Sequence, residues 1–231
     1  MRLECRVLEF LQQNSDIQKL DTYFTCKKSP YRVLLPIKFT KELCRIIGII
    51  HGDGNMSGGR IHITDKNFKY HKIINTLFQN TFGISLNLYH DKKRNSYYSH
   101  IKNSIIYRYL TEVLEIPKGA VRKNLKIPSF IKTLNLELQA EYIAGLFDAE
   151  GHIRIRQAEI DFSTSTEDIF QLISEFLTKI QIKFSTRIRH RRKNPEFEIF
   201  IYGKNNLQKF NNFIHLKHPA KLKRIKFFFP H

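Results

Sequence analysis

The stretch 142–153 carries the residues best suited to chemistry, because Asp148 and Glu150 lie in the last turn of an apolar helical run. A helix C-terminus already bears partial negative charge, so carboxylates there are unfavourable unless a cation offsets them. Gly151 follows the acids and predicts a left-handed C-cap. This local conflict indicates a functional site rather than scaffold.

A second copy of the pattern lies upstream at 46–54. Its Asp53 aligns without gaps with Glu150, 97 positions away (150 − 53), so the chain is predicted to contain two copies of one unit. The other matched pairs are Gly48 with Gly145, Gly52 with Ala149, and Gly54 with Gly151. Helices with small residues on one face can pack backbone to backbone, and this packing would bring the two acids side by side.

Two carboxylates at paired helix ends, together with unpaired last-turn carbonyls, form an all-oxygen donor set for a hard cation. Such a set suits Mg²⁺, with Mn²⁺ as the alternative, and phosphodiester hydrolysis, in which metal ions activate a water and stabilise the attacking and departing oxygens. The alternative is a pair of solvated acids at the ends of packed helices. The matched positions of Asp53 and Glu150 disfavour that alternative.

The composition narrows the class of partner. The 231 residues include 39 Lys+Arg against 21 Asp+Glu, a formal charge of +18, and this excess favours nucleic acid ahead of a membrane surface. Cys5, Cys26 and Cys44 form neither a disulfide framework nor a zinc motif. With no membrane-length apolar run and no signal-peptide pattern, we expect a reducing intracellular compartment, whether cytoplasm, nucleoid or organelle.

Hydrophobic periodicity predicts the element order α-β-β-α-β-β-α twice, with only the first strand of the first unit hard to place. The predicted divisions are an N-terminal extension (1–38), a first unit (39–115), a linker (116–135), a second unit (136–215) and a basic tail (216–231). The predicted helices are 2–13, one from Thr40, 67–81, 104–114, one from Leu136, one capped by Thr166, and 204–214. The predicted strands are 60–64, 85–91, 96–102, 152–157, 159–164, 182–191 and 196–202.

Both stretches resemble the LAGLIDADG motif, the second closely and the first in a looser form with His51 at its sixth position. With two motifs in one chain, residues 40 to 215 resemble a monomeric LAGLIDADG homing endonuclease. The resemblance implies an α+β fold of two pseudo-symmetric αββαββα units. Their motif helices would pack at the centre, and each unit would carry a curved antiparallel sheet that forms a DNA-binding saddle. It also implies metal-dependent cleavage of both strands of a long asymmetric double-stranded DNA target.

The resemblance assigns roles at matched motif positions. The eighth-position acids, Asp53 and Glu150, are expected to be catalytic and to bind the metal. The expected supporting ligands are the backbone carbonyls of Gly52 and Ala149. The sixth-position residues, His51 and Asp148, are expected to be helix-interface or capping groups rather than catalysts.

The family also places polar and basic residues on the strands around the metals. Asp65 and Thr164 fall at about the right positions, where the glutamine that is common in the family is absent from both copies. Lys66, Arg154 and Arg187 are candidates for a charge-neutralising group.

Strand parity predicts the surface that reads DNA, because side chains alternate between faces and arginine at every other position suits a groove. In the run 152–156 the parity places Ile153 and Ile155 inward. The predicted DNA contacts are Arg60, His62, Lys92, Lys93, Arg94, Tyr97, His100, Lys123, His152, Arg154, Arg156, Lys183, Arg187, Arg189, Arg191 and Arg192, with Tyr98 as a further weak member.

The sequence is compatible with other functions as well. An RNA maturase that assists intron splicing and a catalytically inactive DNA-binding regulator both fit the same scaffold, whereas an intein is disfavoured because no room is left for a splicing domain. The N-terminal extension is either a DNA-contacting arm or a strap across the core. The basic tail is either a backbone-binding segment or a solvated face. A monomer is expected because both motifs lie in one chain.

Overall fold

The computed structural model describes residues 2–20, 23–26, 29–120, 126–191 and 194–229. Its N-terminal extension begins with helix α1 (Leu3–Gln13), as predicted, and continues in strands β1 (Ile17–Leu20), β2 (Tyr23–Cys26) and β3 (Ser29–Val33). The three strands form an antiparallel sheet that the periodicity had not indicated. α1 buries Leu3, Val7 and Phe10 in the core, so at least this part of the extension is integral to the fold.

The first unit has the predicted element order. Its elements are α2 (Lys41–Asp53), β4 (Gly54–Ser57), β5 (Arg60–Asp65), α3 (Phe68–Phe82), β6 (Asn87–Asp91), β7 (Ser96–Lys102) and α4 (Ser104–Arg108). A single π-helical turn, Tyr109–Val113, extends α4. β4 is the strand that the sequence had left unplaced. After the unit, strand β8 (Gly119–Ala120) pairs with β4, and a short helix α5 (Ser129–Thr133) leads to the second unit.

The second unit repeats this order. Its elements are α6 (Leu136–Glu150), β9 (His152–Arg154), β10 (Glu159–Thr164), α7 (Glu167–Lys179), β11 (Ser185–Arg191), β12 (Asn194–Tyr202) and α8 (Lys204–Phe213), and helix α9 (Pro219–Lys226) follows. The strand orders β6-β7-β5-β4-β8 and β11-β12-β10-β9 are equivalent apart from β8, and every pairing is antiparallel. The predicted α+β fold of two pseudo-symmetric units is confirmed.

The motif helices α2 and α6 pack with their backbones in contact. A Cβ atom added at Gly48 would overlap the carbonyl oxygen of Tyr142, and one added at Gly145 would overlap that of Arg45. Only glycine permits so close an approach. The predicted small-residue contact between the helices is therefore confirmed, and it fixes the relative positions of everything at their C-terminal ends.

Two predictions fail at the turn after α6. Gly151 is not left-handed, because its φ of −73° and ψ of 149° are those of extended backbone that leads directly into β9. The glycine is needed for space instead, since a Cβ there would lie 2.6 Å from the Phe147 ring and 2.8 Å from the Phe147 carbonyl oxygen. β9 ends at Arg154, so Ile155 falls outside the strand and is 36% exposed rather than inward.

No helix in the described part of the chain combines the length and the apolar character needed to cross a membrane.

Candidate active site

The C-terminal ends of α2 and α6 lie side by side and bring Asp53 and Glu150 to the same end of the helix pair. A Cβ added at Gly52 would overlap the Cβ of Ala149 and lie 3.5 Å from Cγ of Glu150. Both acids are partly exposed. Within the described ranges no three His, Cys, Asp or Glu side chains cluster as a metal site. A cation here would therefore depend on two carboxylates and on backbone carbonyls, an all-oxygen set that suits a hard divalent ion.

Beneath this end, a buried ion pair crosses between the helices. The Arg45 side chain is fully buried and donates from Nη1 to Asp148 Oδ2 (2.8 Å), from Nε to Glu141 Oε2 (2.7 Å) and from Nη2 to the His215 carbonyl (2.7 Å). Asp148 also accepts the backbone N–H groups of Lys217 and His218, at 2.9 Å each. Burial raises the pKa of Asp148, and the charge of Arg45 opposes that rise. The expected interface role of Asp148 is confirmed.

A neutral pair crosses the helices at the equivalent positions. His51 is buried, and its Nδ1 lies 2.9 Å from the Tyr142 hydroxyl, while its Nε2 has no hydrogen-bond partner among the described residues. Burial lowers the pKa of His51 to about 3. The imidazole is therefore neutral at physiological pH, and His51 packs at the helix interface as expected for its motif position.

Lys221 of α9 caps the end of α6. Its ammonium donates to the carbonyl oxygens of Phe147 (2.8 Å), Asp148 (2.5 Å) and Ala149 (2.9 Å). The Asp148 and Ala149 oxygens are last-turn carbonyls that the helix itself cannot satisfy, whereas the Phe147 oxygen also accepts the Gly151 N–H (3.0 Å). This lysine is the cation that the acidic helix end required, and it engages the Ala149 carbonyl that the sequence had suggested as a metal ligand.

Asp65 and His218 form a second polar contact beside the helix ends. His218 Nε2 lies 3.3 Å from Asp65 Oδ1, and the same oxygen accepts the Asn67 backbone N–H (2.5 Å). Burial opposes ionisation of Asp65, but these two hydrogen bonds outweigh it and hold the pKa of the carboxyl below its usual value. His218 is buried, and within the part of the chain that the structure describes its Nδ1 has no hydrogen-bond partner.

Some of these groups line one cleft of about 1430 Å³ between the two units, and Glu150 lies beside the lining rather than in it. The first unit lines it with Asp53, Asp65 and Lys66, and the second with Ala149 and His152. α9 and the residue before it add Lys221 and His218. The cleft is therefore acidic at the helix ends and cationic along its rim, an arrangement able to hold a divalent cation together with a phosphate.

The predicted supporting residues divide into two groups. Asp65 and exposed Lys66 line the cleft. Thr164 is buried, and its hydroxyl oxygen accepts the Thr166 backbone N–H (3.1 Å). Thr166 is the N-cap residue of α7, as predicted, but its side chain makes no cap hydrogen bond to the described residues. Arg154 pairs with Asp161 (2.6 Å) and Arg187 with Glu198 (2.5 Å). The structure places these last three outside the cleft lining.

The outer face of the second sheet alternates arginines with acids. Arg187 and Arg189 on β11 both reach Glu198 on β12, while Arg154 on β9 reaches Asp161 on β10. Each arginine remains partly exposed, from 33% to 50% of its side chain. His152, Arg156 and Lys183 are exposed nearby.

The outer face of the first sheet carries neutral rings instead. His62 and His100 are register partners across β5 and β7, and Tyr98 and Tyr89 extend the row. Tyr89 stacks on Tyr98 and His100 at ring distances of 5.5 and 5.0 Å. Tyr97 points to the opposite face, where it contacts Phe68 and His71 of α3. Tyr97 therefore does not share the outer face with Tyr98 and His100 but lines the cleft, and its DNA contact stays a prediction.

The remaining predicted DNA contacts lie on edges and turns. Arg60 is exposed at the start of β5, and the β6–β7 turn exposes Lys92, Lys93 and Arg94. Lys123 and Arg192 lie outside the described residues, and Arg191 is described only as the last position of β11.

The contacts of Arg45, His218 and Lys221 at this site were not predicted from the sequence. The only local signal for Arg45 is a cation placed within the apolar stripe of α2, where burial demands an acidic partner. Lys221 and His218 are remote in sequence from the acids they contact, and α9 carries other basic residues that are solvent-exposed. No local pattern distinguishes the inward lysine from these.

Residues 137–215 match the model of a family described as a LAGLIDADG-like domain. Among curated proteins, the chain is 26% identical over 219 residues to "Probable translation initiation factor IF-2" and 28% identical over 202 residues to glutamine–fructose-6-phosphate aminotransferase, both of Methanocaldococcus jannaschii. These alignments span 88% and 83% of this chain but only 18% of each relative. Homing endonuclease I-ApeI of Aeropyrum pernix is 25% identical over 137 residues, 58% of this chain and 61% of that protein.

Solved structures share the fold. I-DmoI in complex with DNA and Mn matches with a TM-score of 0.56 at 15% identity, covering 77% of this chain and 98% of that chain. Full-length DUF199/WhiA from Thermatoga maritima also gives 0.56, at 14% identity, covering 87% of this chain and 62% of that chain. At such identities the matches establish the two-unit scaffold and leave the activity to be argued from the site.

Proposed function

The chain belongs to the LAGLIDADG family, and we propose on that basis that it is a site-specific DNA endonuclease. It hydrolyses phosphodiester bonds on both strands of a long asymmetric double-stranded target, as a monomer and with divalent metal ions. The observation that carries the proposal is the juxtaposition of Asp53 and Glu150 at paired helix ends beside a cleft with a cationic rim.

Asp53 and Glu150 would hold Mg²⁺ or Mn²⁺, helped by the carbonyl oxygens of Gly52 and Ala149. When bound, the metal supplies an activated water and stabilises the developing charge on the attacking and departing oxygens. Lys66, which is exposed on the cleft wall, would offset phosphate charge in this proposal. Asp65 and His218 orient each other beside the acids.

The two sheets would each cover one half of the target. In this proposal the units 39–115 and 136–215 read successive half-sites, the linker 116–135 joins them, and the extension 1–38 and the tail 216–231 flank them. Arginines on the second sheet can read guanine edges, and the lysines of the β6–β7 turn can hold phosphates. The unlike outer faces favour an asymmetric target, because the two half-sites would be read by different side chains.

One observation favours a second candidate, a catalytically inactive DNA-binding regulator. The Lys221 ammonium already engages the Ala149 carbonyl, and so occupies part of the donor set that a metal would use. An RNA maturase assisting intron splicing remains the third outcome for a chain of this composition.

The test is cleavage of a long randomised duplex library by wild type, Asp53→Asn and Glu150→Gln, in Mg²⁺ or EDTA, with sequencing of the cut ends. We expect Mg²⁺-dependent cuts that share one asymmetric site, and a loss of at least about a hundredfold in each variant, since a metal ligand supplies several kcal/mol of transition-state stabilisation. Glu137→Gln is the matched control, because it removes an exposed acid at the far end of α6.

Specific binding without cutting, in both Mg²⁺ and Mn²⁺, would replace the nuclease by the regulator. Absence of any DNA specificity would instead direct the assay to intron RNA.

A further inference from the structure

The C-terminal helix α9 inserts a lysine into the candidate metal site. Lys221 Nζ lies within 2.9 Å of the carbonyl oxygens of Phe147, Asp148 and Ala149, the last of which directly precedes the acid Glu150. Ile225 of the same helix is buried, and Arg224 Nη1 lies 3.5 Å from the Ile153 carbonyl oxygen, so α9 is docked along its length. The lysine is held in place by the fold.

The environment of this ammonium resembles that of a bound cation. Its three carbonyl contacts come from a helix C-terminus, which carries partial negative charge. Burial lowers the pKa of Lys221, and the charges of Asp148, Asp53, Asp65 and Glu150 oppose that effect. The acids that would bind a divalent metal therefore already act on a resident positive charge.

We propose that Lys221 is a built-in cation of the candidate metal site, which keeps the acidic helix ends together without metal and weakens the binding of a divalent ion to them. The ammonium and the metal share the Ala149 carbonyl and the field of the same carboxylates. Like charges at such distances repel even where the effective dielectric is high. The inference rests on the proposed function, because it concerns the same carboxylates.

A resident cation and a purely structural lysine at position 221 have opposite effects on metal binding. If the lysine only held α9 in place, its removal would loosen the helix ends and weaken metal binding. If it is a resident cation, its removal strengthens metal binding while it lowers the stability of the metal-free protein. The two roles therefore predict opposite signs for one measurement.

The experiment is Mn²⁺ binding to the DNA-free protein, followed by the electron paramagnetic resonance signal of free Mn²⁺, together with thermal melting in EDTA and in Mn²⁺. For Lys221→Met we expect binding about tenfold tighter than wild type, from the loss of one repelling charge. We also expect a lower melting temperature in EDTA that Mn²⁺ restores. Lys226→Met, which removes an exposed charge from the same helix at a position outside the cleft lining, is the matched control and should change the affinity less than twofold.

Lys221→Arg, which keeps the charge, is the second variant and should not bind Mn²⁺ more tightly than wild type. Mn²⁺ binding by Lys221→Met that is unchanged, weaker or absent would overturn the proposal, as would a gain equal to that of Lys226→Met. None of these results depends on cleavage, so a failure here is distinct from a failure of the library assay.

Discussion

Arg45 on α2 and Tyr142 on α6 hold equivalent positions, as do His51 and Asp148, yet the two contacts that cross between the helices differ in charge. Arg45 reaches Asp148 as a buried ion pair, whereas Tyr142 reaches His51 as a neutral hydrogen bond. The same pair of positions is thus filled once by charges and once by rings. Pseudo-symmetry of the backbone has been kept while the chemistry of the two sides has diverged.

Among the described residues, the Arg45–Asp148 pair makes further contacts that the His51–Tyr142 pair does not make. Asp148 accepts the backbone N–H groups of Lys217 and His218, and Arg45 donates to the His215 carbonyl. The ion pair therefore anchors the chain segment that leads into α9 and places Lys221 at the end of α6. The Arg45–Asp148 contact therefore positions a part of the site, whereas the His51–Tyr142 contact serves packing.

The largest expected effect comes from breaking the charged crossing. Arg45→Met should lower the free energy of unfolding by about 3–5 kcal/mol, because it leaves the buried Asp148 carboxylate without its cation. Urea denaturation at neutral pH measures the change. Glu137→Gln, which breaks an exposed ion pair between the same two helices, is the control and should leave the midpoint nearly unchanged.

A double variant tests the same contact by replacing the Arg45–Asp148 ion pair with the residue types of the Tyr142–His51 pair. Arg45→Tyr with Asp148→His should be less destabilised than the sum of the two single changes by about 1 kcal/mol or more, since the new pair leaves no buried Asp148 carboxylate without its cation, although Glu141 still loses its bond from Arg45. Recovery should be incomplete, because the Lys217 and His218 N–H groups lose their carboxylate. Strict additivity would show that the two crossings are not interchangeable.

A smaller effect is expected from the neutral crossing, and it depends on pH. The folded pKa of His51, about 3, lies below its ordinary value of 6.5. The stabilisation from keeping this imidazole neutral is therefore fully present above pH 6.5 and is lost as the pH falls towards 3. Between pH 7 and pH 5 the loss should be about 2 kcal/mol.

His51→Gln has no such titration, so its stability should fall less over this interval than that of wild type. Urea denaturation at pH 7 and pH 5 compares the two proteins. His152→Gln is the control for losing an imidazole, because His152 is exposed. An identical pH dependence in wild type and His51→Gln would rule out His51 as its source.

Some of these contacts could be predicted from the sequence and others could not. Periodicity located the helices and strands of both units except β4, because most of these elements bury one face, and the spacing of Gly48 and Gly145 predicted the backbone contact that pairs Asp53 with Glu150. The roles of Arg45 and Lys221 depend on partners far away in the chain, so no local pattern contained them. The predicted left-handed C-cap at Gly151 was wrong for a related reason. In the sequence, a glycine that makes room for a neighbouring side chain cannot be distinguished from one that adopts a positive φ.

The smallest expected effect concerns the helix starts, where the two copies behave alike. Thr40 Oγ1 accepts the Leu43 N–H (3.2 Å), and Asn135 Oδ1 accepts the Leu138 N–H (2.9 Å). Thr40→Ala and Asn135→Ala should each cost about 1 kcal/mol in urea denaturation, because each removes one N-cap hydrogen bond. Asn135→Asp keeps an acceptor and should retain most of the stability. Equal costs at the two caps would mean that the two units differ only at the contacts between the helices and at the C-terminal helix ends. A cost at one cap alone would mean that the units already differ at the helix starts.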